Sequence, residues 1–144
     1  MPLIPNFPPE LLAEHRDWHR ARHWQMMNTP PGYGFEFLEY HRGFIGRALQ
    51  WYMASGMDPR LVTPWLSVPE PVRHSYCYDR AAEHRVANRP ETFRSADELG
   101  RFILTSGLHS CMHEQSALLF GEPELNDFDL ATRYTTFYRL HGLI

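Results

Sequence analysis

Histidine recurs at four-residue spacing in two separate places along this chain. His15, His19 and His23 share one stretch near the start, and His109 and His113 share a second near the end. An α-helix advances 3.6 residues per turn, so residues four apart stack on one face and their imidazoles come within reach of a single metal ion. Each stretch is followed by one more histidine in an aromatic setting: His41 after Tyr40, and His141 after Phe137 and Tyr138. Two pairs, each with a distant third histidine, predict two three-histidine metal sites carried on helices.

The sequence between the histidines reads as helical too. Pro8 and Pro9 open a stretch of good helix formers from Glu10 to Met27, with Leu11, Leu12, Trp18 and Met26 available for packing. Pro30, Pro31, Gly32 and Gly34 cannot sustain it. Phe37, Leu38, His41, Phe44, Ile45, Ala48, Leu49 and Tyr52 recur at spacings of three and four and predict a second helix from about Phe35 to Ala54. Residues 57–90 are broken by Pro59, Pro64, Pro69, Pro71 and Pro90 and read as a long irregular connection with two short helices. Ser95 with Glu98 predicts a capping box opening a third helix, which runs on to Leu119 with Gly107 as its weak point. Gly121 and Pro123 close it, and a final helix from near Asp127 or Asp129 contains Phe137, Tyr138 and His141. The expected fold is all-α, a four-helix bundle with a dimetal site in its core and a long irregular central connection, forming a single domain over residues 1–144.

Composition excludes several function classes. Fourteen basic residues, all arginine, against 17 acidic ones leave a net charge of −3, so no field favours nucleic acid or an anionic membrane. No segment approaches 18 uninterrupted apolar residues, and the start lacks a basic region followed by an apolar run; a cytoplasmic protein without a membrane partner is expected. Cys77 and Cys111 cannot define a disulfide framework and are expected as buried reduced thiols, with one bridge open to them if the fold brings them together. His74 and His84 read as loop histidines, Trp18, Tyr33, Tyr40, Trp51 and Tyr52 as core, and Arg16, Arg20 and Arg22 as a solvated helix face. All-imidazole ligation without carboxylates favours copper over a di-iron centre, which wants Glu and Asp bridges. Ser110 stands where a His-Glu-x-x-His hydrolase has its Glu, which disfavours a zinc hydrolase.

The run Phe37-Leu38-Glu39-Tyr40-His41-Arg42 resembles the Phe-Leu-Pro-Trp-His-Arg segment around the third ligand of the first copper in tyrosinases. Leu108 to His113, then Asn126-Asp127 and Phe137 to His141, resemble the second copper region, where a His-x-x-x-His pair precedes an Asp-Pro-x-Phe-Trp-x-His-His run. The chain is thus similar to the central domain of the tyrosinase, catechol oxidase and haemocyanin group. The resemblance implies a type 3 copper oxidoreductase with two copper ions, which binds dioxygen and oxidises phenols, o-diphenols or aminophenols to quinone-type products. It implies His109, His113 and His141 as ligands of the second copper, with Phe137 packed beside the last, and His41 as a ligand of the first. For the other two first-site ligands, His19 with His23 is preferred, being nearer the helix end and the loop that leads to His41; His15 with His19 is the alternative. No catalytic residue beyond the metal ligands is expected.

Departures from the family pattern carry expectations of their own. Glu39-Tyr40 replaces Pro-Trp, Leu140 replaces the first of the paired histidines, and Ser110 stands where members that hydroxylate monophenols often carry Asn. Diphenol oxidation is therefore expected over hydroxylation. The family usually has an Asp four positions after the last histidine, which suggests a chain truncated at its C-terminus. Two other classes stay open: a degenerate tyrosinase-like domain that binds metal or dioxygen without catalysis, and a zinc or iron enzyme on the same bundle.

Overall fold

A computed structural model describes residues 3–143 of the chain. Among them the structure is all-α, with eight α-helices: α1 (Pro9–Ala21), α2 (His23–Asn28), α3 (Tyr33–Ala54), α4 (Glu70–Arg73), α5 (Arg80–Asn88), α6 (Ala96–Thr105), α7 (Leu108–Phe120) and α8 (Thr135–His141). The histidine pairs lie on α1 and α7, and the two later histidines on α3 and α8.

Three boundaries differ from the sequence reading, each for a local backbone reason. The first helix does not run through to Met27: Arg22, at φ −114° and ψ 26°, breaks it into α1 and α2. The third helix is interrupted at Gly107, whose φ of +82° is open to glycine and costly for a residue with a Cβ, so α6 and α7 are separate and α7 starts at Leu108, one residue before His109, in the direction Gly107 sets. The final helix starts at Thr135 instead of near Asp127 or Asp129. Residues 123–133 form two 3₁₀ turns instead, Pro123–Asn126 and Ala131–Arg133, and between them the Asp127 carboxylate accepts from the Asp129 amide at 2.9 Å. The central segment is irregular with two short helices, α4 and α5, and Asp79 caps α5 by accepting from the Ala82 amide at 2.9 Å.

The start of α6 clamps the start of α3. Asp97 accepts from the Gly32 and Phe35 amides, both at 3.0 Å, and so satisfies orphan donors at the α3 N-terminus. Backbones touch there: a Cβ on Gly34 would lie 2.2 Å from the Asp97 carbonyl oxygen, and one on Gly100 would lie 2.3 Å from the Gly34 oxygen. Ser95 caps α6 through the Glu98 amide at 3.1 Å, while the Glu98 carboxylate accepts from the Arg94 amide instead of closing the reciprocal box on Ser95.

Packing then fixes the histidine helices to one another. Phe44, Ala48 and Tyr52 of α3 are buried with Leu125, Phe137 and Tyr138, while Val72 and Tyr78 of the central segment are buried with Leu108, Cys111 and Met112 of α7 and Leu140 of α8. Phe44, Leu125 and Leu140 are wholly inaccessible, and burial of each such side chain contributes about 1.5–3 kcal/mol. Trp18, Tyr33 and Phe37 join α1 to α3. Of the aromatics expected in the core, Trp18, Tyr33 and Tyr52 are buried, and Tyr40 and Trp51 are half-buried against it.

The cysteines are not reduced thiols. The turn after α4 packs against α7, bringing the Cα atoms of Cys77 and Cys111 to 5.7 Å, and the two form a disulfide. Cys111 lies on α7 between His109 and His113.

Candidate metal centre

Two clusters of three histidines form in the interior: His15, His19 and His41 from α1 and α3, and His109, His113 and His141 from α7 and α8. In the first, the three Nε2 atoms stand 3.1, 3.2 and 3.3 Å apart; in the second, 3.0, 3.1 and 3.3 Å. Three imidazole nitrogens bound tetrahedrally to one ion at ~2.0 Å lie roughly 3.3 Å from one another. Each triad therefore has the spacing of a three-nitrogen site for a metal ion. Neither includes a carboxylate or a thiolate.

The opposite ring nitrogens explain why the Nε2 atoms converge. His41 and His141 each donate their Nδ1–H to the carbonyl one turn back on their own helix, Phe37 at 2.9 Å and Phe137 at 2.8 Å. His15 and His113 donate to carbonyls only three residues apart, Phe128 at 2.9 Å and Leu125 at 2.8 Å. A ring whose Nδ1–H is so engaged is the Nδ1–H tautomer, which leaves the Nε2 lone pair free to bind metal, and its orientation is fixed by the backbone. The turn through Leu125 to Phe128 thus orients one ring of each triad. His19 is held differently: its Nδ1 is buried without a protein partner, and its ring stacks on Phe128 with centroids 5.1 Å apart.

Burial keeps these rings neutral. It pushes His15 down to about 4 and His19 to about 3, and it holds His41, His109, His113 and His141 below the usual imidazole range as well. Neighbouring imidazoles add to the effect at His19, His41, His109 and His141. At neutral pH the rings are uncharged, and the four whose Nδ1–H groups are engaged present Nε2 lone pairs.

The two triads face each other. His41 and His141 stack in parallel, with centroids 5.7 Å apart and planes inclined by 6°. Phe37 lies 4.3 Å from the His41 ring and 5.1 Å from the His109 ring, while Phe137 lies 4.0 Å from His141 and 5.4 Å from His15, so one phenylalanine on each side spans the two triads. All six histidines line one cavity of about 270 Å³, whose other walls include Met26, Ser110, Asn126 and Phe128. His15, His19, His41 and His141 are buried, while His109 and His113 are half-buried, so access favours the second triad. A separate cavity of about 650 Å³ touches only His41 and His141 of the six, between Leu38, Ile45 and Ala96.

The expected site residues sort as follows. His19, His41, His109, His113 and His141 come together in the triads, and His15, the alternative, takes the place preferred for His23. His23 is corrected: the break at Arg22 carries the chain off the α1 face, and His23 begins α2 exposed to solvent. His74 and His84 are exposed and belong to neither cluster; His74 caps the end of α4 and rests 2.9 Å from Glu70, while His84 lies on α5 instead of in a loop. The sequence reading did not find the carbonyls of Leu125 and Phe128. His15, named as the alternative ligand, joins Trp18 and His19 in the buried stripe of α1, and a sequence signal for that choice is the pair of charged residues, Arg20 and Arg22, that flank the direction toward His23.

Compared with known proteins, the chain matches no family model, no curated protein and no solved structure.

Proposed function

We propose that the chain is a dicopper oxidoreductase of the type 3 kind, acting on small o-diphenols or aminophenols with dioxygen, in which α1, α3, α7 and α8 serve as the four-helix bundle around the metal pair. One observation carries the reading: two all-imidazole triads, each with converging Nε2 atoms, face one another across a single cavity. Imidazole-only donor sets suit copper in either oxidation state and lack the bridging carboxylates a di-iron site uses. Copper held there would supply dioxygen binding and electron transfer.

The protein's own contribution is positional and dielectric. The carbonyls of Phe37, Phe137, Leu125 and Phe128 hold four rings with Nε2 inward, and burial suppresses protonation that would otherwise compete with metal. Phe37 and Phe137 pack between the triads and exclude water from the rings they touch. Over a complete cycle two o-diphenols give up four electrons and four protons to one dioxygen, leaving two quinones and two waters. Ser110, beside His109 at the cavity wall, supports oxidation of diphenols over hydroxylation of monophenols.

The Cys77–Cys111 bridge supports work in an oxidising compartment instead of a reducing cytoplasm. No helix among the described residues is long and apolar enough to cross a membrane.

The deciding experiment loads the chain with copper, measures metal per chain, and follows quinone absorbance with dioxygen uptake on 4-methylcatechol. Two coppers per chain with coupled uptake and quinone formation are expected. One copper or none, or two coppers without dioxygen uptake, would overturn the reading.

A further inference from the structure

Resting on the function proposed above, we infer that the centre selects uncharged single-ring substrates, with Met26, Ser110 and Asn126 at the cavity wall as the residues that impose the selection. Size is the first constraint. About 270 Å³ falls below the range of roughly 300–1,000 Å³ typical of cavities that enclose drug-sized ligands, so the cavity has room for one substituted ring, and a second ring would project outside it.

Charge is the second constraint. Apart from the histidines, the lining is apolar (Met26, Leu125, Phe128, Ala131 and Phe137) or neutral and polar (Ser110 and Asn126); among the described residues no arginine, aspartate or glutamate lines it. Three arginines of α1, its C-cap and the segment before α8 are engaged in pairs, and Arg42, which has no ion pair among the described residues, lines the separate cavity and not this one. Arg20 pairs with Asp129, Arg22 pairs with Glu36 and lies over the Trp18 ring, and Arg133 pairs with Glu124 at 2.7 Å. Within this cavity a carboxylate on the ring would meet no free cation, and an ammonium would meet no carboxylate. Either charge would lose its hydration without a partner, which is unfavourable in an apolar-walled site.

The polar groups at the wall are matched to a neutral guest. The Ser110 hydroxyl already donates to the Gly107 carbonyl at 3.2 Å, which leaves its oxygen as an acceptor for a phenolic O–H or an aniline N–H. Asn126 is exposed at the end of its 3₁₀ turn and offers an amide to a ring substituent. An arginine at that position would place a cation at the wall without displacing a buried side chain.

The test compares three o-diphenols that share one ring: neutral 4-methylcatechol, anionic 3,4-dihydroxyphenylacetate and cationic dopamine. With the copper-loaded full chain, kcat/KM for the neutral compound is expected to exceed that for each charged one by about tenfold or more, a factor equal to about 1.4 kcal/mol. Calorimetric binding of the same three compounds to the zinc-loaded chain, which cannot oxidise them, should give the same order. Asn126→Arg should narrow the gap for the anion and leave the gap for the cation. Equal values for all three, or preference for a charged compound, would overturn the selectivity while leaving the oxidase reading in place. If no diphenol is oxidised by the two-copper protein, the functional reading falls, and the order of affinities for the zinc-loaded chain decides the selectivity alone.

Discussion

The imidazoles of His41 and His141 lie face to face, 5.7 Å between centroids, although 100 residues of chain separate them. Each belongs to a different triad, and each is oriented by the carbonyl of a phenylalanine one helical turn earlier. The two sites are thus mechanically joined but chemically separable. His41→Ala should leave about one metal ion per chain, held by His109, His113 and His141, and His141→Ala should leave about one at the first triad. Either loss should reduce the proposed diphenol oxidation by about a hundredfold or more, since loss of even an outer partner of a metal ligand costs 10–100-fold. Retention of two ions in either variant, measured by metal analysis, would show that the triads are not independent binding sites.

The disulfide ties the turn after α4 to the middle of the helical turn that carries His109 and His113. Closing a loop across a sequence separation of 34 residues removes chain entropy worth about 3–4 kcal/mol by the loop-closure relation. Replacing both cysteines with serine should therefore lower the thermal midpoint and weaken the second triad more than the first, because Cys111 is on α7 and the first triad draws on α1 and α3. Competition titrations with a chelator, run on His41→Ala and His141→Ala backgrounds, separate the two affinities. An equal change at both triads would mean that the bridge acts on global stability alone.

Acid should destabilise the metal-free protein well before its carboxylates titrate. In the unfolded chain each histidine takes up a proton near pH 6.5, whereas burial delays His15 to about 4 and His19 to about 3 in the folded state. Between those limits the unfolded state binds more protons, so stability present above pH 6.5 is lost as pH falls through the folded values. For His15 alone, the loss is on the order of 3 kcal/mol. His41, His109, His113 and His141 shift in the same direction and steepen the decline. Bound metal should flatten it, because an ion bound only by the folded state adds stability that protons must displace. Thermal midpoints from pH 7 to 4.5 with and without metal check this, and a flat profile for the metal-free chain would contradict the burial argument.

Four-residue spacing brought His15, His19, His109 and His113 into view as local helix geometry, with His15 only as the alternative to His23, whereas His41 and His141 were legible from their aromatic settings and from the resemblance to the copper family. His23 was the error, and its cause is equally local: the repeat from His19 to His23 is genuine in sequence, but the backbone at Arg22 leaves helical dihedrals and sends His23 elsewhere. Gly107 was visible as a weak point, yet whether a helical glycine bends, breaks or is tolerated depends on what packs on either side. The orienting carbonyls of Leu125 and Phe128 had no sequence signal, since any residue has a carbonyl and only the turn held by Asp127 aims these two inward. Pairing of Cys77 with Cys111 likewise depended on a long-range approach of the central segment to α7 that composition does not encode.

The crossing of α3 and α6 offers a test of how the fold holds His41 relative to His109. Gly34 and Gly100 bring the two backbones into direct contact, and a methyl group at Gly100 would sit 2.3 Å from the Gly34 oxygen. Gly100→Ala should therefore push α6 from α3 and destabilise the protein by about 1–3 kcal/mol, the usual range for overpacking. Because only Ser106 and Gly107 join α6 to α7, the strain should also reach His109 and lower metal affinity at the second triad. Gly46 is the control: it lies within the same α3 helix with open space around its Cα, so Gly46→Ala should stabilise by about 0.5–1 kcal/mol. At roughly 2–4 °C per kcal/mol for a chain near this size, the two variants should move the thermal midpoint in opposite directions. If Gly100→Ala instead matched Gly46→Ala, the contact between the two backbones would not be what sets the α3–α6 distance.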